Sequence, residues 1–110
     1  MTTKKPARPS VARPKGAQVK KSAPQAGTVR VAAIQMASGP SVPANLAEAE
    51  QLIELAVDAG ARLVVLPEFF CIMAMKDTYV VKAREAEGHG PIQTFLSRMA
   101  AVANVARAKR

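Results

Sequence analysis

Residues 63–70 read LVVLPEFF: four apolar residues without a break, then a proline, a glutamate and two phenylalanines. Four consecutive aliphatic side chains leave no polar face. A strand apolar on both sides belongs in a parallel sheet covered by helices on each side. Pro67 has no amide hydrogen to give to a ladder, so the strand ends at Leu66. Reading backwards, Gly60 suits the left-handed turn that closes a helix. Before it, Leu46, Ala49, Ile53, Ala56 and Val57 recur at helical spacing, with Glu48, Gln51, Glu54 and Asp58 on the other side. This pattern predicts a helix from Ala44 to Ala59, started by Asn45 or Ser41 as cap. Met36–Pro43 holds Ser38, Gly39, Pro40, Ser41 and Pro43 and reads as a loop. Val29–Gln35 (VRVAAIQ) is β-branched and apolar and reads as a first buried strand. Strand, loop, helix and strand make one βαβ unit with an expected right-handed crossover.

Beyond Glu68 the pattern is less regular. Phe69–Met75 is apolar without a clear period. Asp77 is the expected cap of a short helix near Thr78–Ala86. Gly88-His89-Gly90-Pro91 is a turn, and Pro91 suits the first position of a second helix whose stripe is Ile92, Phe95, Leu96, Met99 and Val102. The fold class expected is α/β: one βαβ unit plus a second helix, preceded by a disordered basic tail.

The formal charge is +8 over 110 residues, but it is unevenly placed. Lys4, Lys5, Arg8, Arg13, Lys15, Lys20, Lys21 and Arg30 are all basic, and residues 1–30 contain no acid. The other eight basic residues are balanced by all eight acids, so residues 31–110 are neutral. Electrostatic attraction to a partner is therefore a property of the tail. Residues 1–28 are Lys, Arg, Ala, Pro and Ser with almost no large apolar side chains, which predicts a solvated segment that cannot offset its ordering entropy. Four prolines there (Pro6, Pro9, Pro14 and Pro24) oppose the amphipathic helix of a transit peptide. Any contact of this tail with nucleic acid is expected to be weak, non-specific and salt-sensitive, because no aromatic residues are interleaved for stacking. No apolar run approaches the roughly 20 residues that cross a bilayer, so no membrane partner is expected. Cys71 is the one cysteine, which excludes an internal disulfide. With no secretory apolar segment, the expected compartment is reducing and cytoplasmic.

Glu68 is the leading candidate for chemistry. It lies two residues beyond Leu66, and in open α/β sheets reactive groups gather just past the carboxyl ends of strands. Apolar neighbours at Pro67, Phe69 and Phe70 are expected to desolvate it and make it a better base. The same position reads equally as a surface-loop glutamate. Cys71, between Phe70 and Ile72, reads as a packing residue. Lys76 and Lys82 read as solvated, and His89 between two glycines as an exposed turn residue. One cysteine and one histidine without ligand spacing predict no metal site, and no cofactor is expected. The Met36–Asn45 loop lies between a strand and a helix, where a phosphate could bind, but with one glycine, Gly39, and no GxGxxG pattern the signal is weak.

Four ordered segments together resemble the nitrilase superfamily of carbon–nitrogen hydrolases. LVVLPEFF at 63–70 looks like its glutamate motif, and VRVAAIQM at 29–36 is similar to its opening strand. NLAEAEQLIELAVDAGARLVVLPE at 45–68 resembles its first helix and second strand, and the turn at 88–91 its Gly-x-Gly-Pro. The resemblance runs from Val29 to about Ala100. It implies the front part of an α-β-β-α sandwich over residues 29–110, and an enzyme cleaving nonpeptide carbon–nitrogen bonds of small amides or nitriles. It also implies a Glu-Lys-Cys mechanism: the cysteine attacks, the glutamate is general base and the lysine steadies the oxyanion. Only the glutamate carries over, onto Glu68. The chain alone is therefore expected to be inactive, and a complementing C-terminal fragment or a homo-oligomer is the expected partner. The stretch after Ala101, VANVARAKR, shows no strand pattern and suggests a frameshift or stop near Ala100. From another class, the alternative is a small basic nucleic-acid-binding protein acting through its tail. With two strands only, unpaired edges predict a poorly soluble or partly unfolded isolated chain.

Overall fold

A computed structural model describes residues 25–108, with side chains described as far as residue 104. The expectation of a solvated basic tail falls mainly on residues 1–24, outside the described residues. Its last four residues form a turn, with the Thr28 amide and hydroxyl both donating to the Gln25 carbonyl, at 3.1 and 2.6 Å.

The described chain runs β1 (Val31–Ala33), α1 (Val42–Asp58), β2 (Leu63–Val65), α2 (Asp77–Lys82) and α3 (Pro91–Ala108). The strands pair in parallel, Val31 opposite Leu63 and Ala33 opposite Val65, which establishes the βαβ unit. Both are shorter than predicted, at three residues each. With a single neighbour, each strand has one ladder to hold it, and pairing ends where the two chains diverge into loops. Ladder-like bonds continue just outside, from the Arg62 amide to the Arg30 carbonyl (2.9 Å) and from the Ile34 amide to the Val65 carbonyl (2.8 Å).

Helix α1 begins two residues earlier than the periodicity indicated. Ser41 is its cap, accepting from the Ala44 amide, and Pro43 belongs to the first turn. Proline is well suited there because that turn's amides have no helical acceptor. Gly60, at φ 91°, closes the helix. Its amide donates to Val57 and that of Ala61 to Ala56, the two bonds that satisfy terminal carbonyls in a glycine-closed helix end. The Arg30 side chain also donates to the Ala59 carbonyl.

Helix α2 is shorter than the predicted Thr78–Ala86, and Asp77 is not its cap. Lys76 occupies that position without a side-chain bond, and Asp77 lies in the first turn. No residue of α2 is buried, so nothing beyond its own backbone bonds extends it. Helix α3 starts at Pro91 as the turn predicted. It continues through Ala108, so residues 102–108 are its last turns. The apparent loss of pattern near Ala100 is continued helix.

Helices α1 and α3 pack together on one face of the sheet. The core is Ala49 and Ile53 from α1, Phe95 and Met99 from α3, and Phe70, joined by Val64, Leu66, Met36 and Cys71. Phe70 and Phe95 meet with ring centroids 6.4 Å apart. Arg98 closes the helix pair from outside, bonding Glu50 at 2.7 and 3.1 Å and lying over the Phe95 ring. The opposite face of the sheet is bare: Val31, Leu63 and Val65 are 55%, 54% and 49% exposed. Cover on both faces, expected from four aliphatic residues in a row, is thus found on one face only. Alternate side chains of β2 point away from the single helical layer, and no second layer among the described residues meets them.

Candidate active site

The parallel strands deliver two loops to the same end of the sheet: residues 34–41 after β1 and residues 66–76 after β2. Glu68 sits at the start of the second. The Phe70 amide donates to the Pro67 carbonyl at 3.1 Å, which closes a turn with Glu68 and Phe69 at its two central positions. On the entry side the turn continues β2. On the exit side Phe70 is buried against Phe95. Glu68 itself is exposed, and so is Phe69 at 46%. The expected burial among apolar neighbours is absent: Phe70 is buried in the core, whereas Phe69 and Glu68 are both exposed. The position just past the strand end is as expected.

Asn45 has a different role from the cap read in the sequence. It is 4% exposed, and its amide bonds the Gly39 peptide both ways. The Gly39 amide donates to Oδ1 at 2.9 Å, and Nδ2 donates to the Gly39 carbonyl at 2.8 Å and to the Cys71 carbonyl at 2.9 Å. The Ser38 hydroxyl adds a bond to the Phe70 carbonyl (2.9 Å), and the Met73 amide one to the Gly39 carbonyl (2.9 Å). The loop after β1 is thereby fastened to the residues that follow Glu68. Sequence reading missed this because Cys71 lies 26 positions from Asn45; a polar residue at i, one position before the apolar stripe begins, was the available signal.

Cys71 packs at the margin of the core, as a packing residue does. Lys76 and Lys82 are exposed, the latter with its ammonium 5.8 Å from the centre of the Tyr79 ring. His89 is exposed in the turn before α3. The structure does not bring Cys71 or either lysine into a hydrogen bond with Glu68 among those described. No cluster of three or more metal-ligating side chains is present among the described residues. No described helix is long and apolar enough to cross a membrane. An open apolar trench of about 280 Å³ lies between α1, α3 and β2, lined by Ile53, Val57, Leu63, Leu66, Leu96 and Met99 among others. None of its lining residues belongs to the Glu68 turn.

A second group of polar contacts was also not legible. The Glu85 carboxylate accepts from the Ile92 amide (2.6 Å), the Gln93 amide (3.0 Å) and the Gln93 side chain (3.2 Å), at the start of α3. It serves as an acceptor for helix amides that have no partner within the helix.

A βαβ unit that presents a glutamate directly past its second strand, inside a Pro-Glu-Phe-Phe turn, defines a class. The model of the carbon–nitrogen hydrolase family matches residues 30–108, and the chain belongs to that family. The match extends to the end of α3, beyond the Ala100 limit read from the motifs. Two curated proteins from strains of Synechocystis, both named deaminated glutathione amidase, are each 57% identical over 42 residues. That stretch is 38% of this chain and 15% of each relative, so the similarity spans a small part of their length. No solved structure matches the chain.

Proposed function

We propose that this chain supplies the general-base glutamate of a hydrolase acting on a nonpeptide carbon–nitrogen bond, and that Glu68 is that base. The observation that carries the reading is the family match over residues 30–108, which includes the turn holding Glu68 just past β2. Between an amide and a nitrile substrate, the two amidase relatives favour an amide. In the proposed mechanism a cysteine thiol attacks the amide carbon while Glu68 takes its proton. Glu68 passes that proton to the leaving nitrogen, ammonia departs as the thioester forms, and the regenerated carboxylate then draws a proton from the water that opens the thioester. A lysine ammonium steadies the negative oxygen formed in each step. Residues 1–110 offer no counterpart of the lysine and cysteine motifs, so those groups come from further polypeptide. The bare face of the sheet, with Val31, Leu63 and Val65, is where the second sheet of an α-β-β-α sandwich would pack.

Exposure of Glu68 belongs to the same reading. A carboxylate that must meet a thiol from another segment is open to solvent until that segment is in place. Co-expression with the downstream reading frame, assayed for ammonia release from a panel of amides, tests the proposal. The expected result is turnover that falls about 10²–10⁴-fold in Glu68→Gln, which cannot accept the proton. Equal turnover in that variant would remove Glu68 from the mechanism.

A further inference from the structure

Asn45 is the one buried polar side chain among the described residues, and its bonds do not serve its own helix. A buried amide left without partners costs about 1–3 kcal/mol, so its presence inside the fold calls for a use. Its three bonds and the two from Ser38 and Met73 all join one pair of segments: Ser38–Gly39, after β1, and Phe70–Met73, after Glu68. The Gly39 carbonyl takes both the Asn45 amide and the Met73 amide, filling its two lone pairs. The chain entering the Glu68 turn is held separately, by the ladder bond from Ile34 to Val65. Glu68 is therefore fixed from behind by the sheet and from ahead by this clasp.

We propose that Asn45 is the positioning residue for the Glu68 carboxylate, a proposal that rests on the reading of Glu68 as the base. Its side-chain amide is suited to the task because it both donates and accepts. It pairs with the Gly39 peptide as a second backbone would, and the remaining hydrogen on Nδ2 reaches Cys71. Neither aspartate nor alanine can replace it at neutral pH. Aspartate keeps the acceptor for the Gly39 amide but sets a charged oxygen against the Gly39 and Cys71 carbonyls. Alanine removes the Asn45 partner of the Gly39 amide and of the Cys71 carbonyl, and leaves the Gly39 carbonyl with the Met73 amide alone. Gly39 enters through its peptide group and not through a need for glycine: a Cβ there meets nothing within 4 Å, so Gly39→Ala is a control that keeps the clasp.

Amide hydrogen exchange of the full chain, read residue by residue by NMR, tests this without turnover. In Asn45→Ala, protection of the Gly39 and Met73 amides should fall about tenfold or more, the equivalent of one net hydrogen bond. Resonances of Glu68–Cys71 should shift, while Ile53–Val57 and Phe95–Met99 keep their protection. Gly39→Ala should change neither. In Asn45→Asp, acidification protonates position 45 and restores a donor, so the Met73 protection factor should recover as the pH falls. A side chain that merely fills space gives no such pH profile. The proposal is overturned if Phe70–Met73 are unaffected in Asn45→Ala. It is equally overturned if protection falls alike in α1, α3 and the clasp, or if Asn45→Asp shows no recovery in acid. Absence of hydrolase activity after co-expression counts against the proposed function and leaves these exchange results standing.

Discussion

Glu85 reaches forward seven and eight positions to the amides of Ile92 and Gln93. Partial burial by itself would raise its carboxyl. The Gln93 and Ile92 amides and the Gln93 side chain outweigh that and hold it below the ordinary value of about 4.5. The native state therefore favours the ionised form. The stabilisation is complete above the unfolded carboxyl's value and is lost as the pH drops through the lower native one. Glu85→Gln should lower the Tm at neutral pH, and the gap from the parent should close on acidification below about pH 4. A gap constant from pH 7 to pH 3 would show that the charge contributes nothing. Gly90 faces the same carboxylate. Its φ is 134°, and a Cβ there would lie 2.2 Å from the Glu85 carboxyl carbon. Gly90→Ala should cost about 1–3 kcal/mol in urea unfolding. The cost should be smaller in a Glu85→Ala background, where the collision is gone and only the backbone strain remains.

Among the elements, α1 and α3 hold the fold through few large side chains. Phe95 is 3% exposed, touches Phe70 and supports Arg98 above its ring. Phe95→Ala should cost about 3–5 kcal/mol. In so small a core this is enough to abolish a cooperative thermal transition in circular dichroism, and a retained sharp transition would place the core elsewhere. The helices were largely legible because their signals are local. Apolar spacing from Leu46 to Val57, Gly60 past the end and Pro91 at the start each act within a turn of the residue that carries them. Asn45 and Glu85 were not legible in the same way. Asn45 sits where a cap is plausible, but its partners come from a loop that only the fold brings near. Asp77 was misplaced for the opposite reason: a side chain fit for capping was assigned the role, and the chain reached its helix one residue earlier without it. Glu68 was located correctly past the strand, whereas its exposure is set by the packing around the turn, which adjacent letters do not specify.

At the scale of the whole fold, the sheet has helices on one side only among the described residues. The run LVVL reveals that both faces of β2 are apolar, not what covers them, since cover is supplied by other segments. Among the described residues, exposed Val31, Leu63 and Val65 form an apolar surface next to two unpaired strand edges, an arrangement prone to association. The isolated chain should scatter light increasingly with concentration. Val65→Lys, on the bare face and outside the trench, should reduce that scattering with little change in helical circular dichroism. Unchanged scattering would locate the sticky surface elsewhere, for instance in the trench beside α3. The Pro67–Phe70 turn has a further consequence. Its peptide units are anchored on both flanks, so their torsional entropy has already been surrendered when the chain folds. On the proposed reading of Glu68 as a base, a proton donor arriving there would find little backbone motion left to arrest.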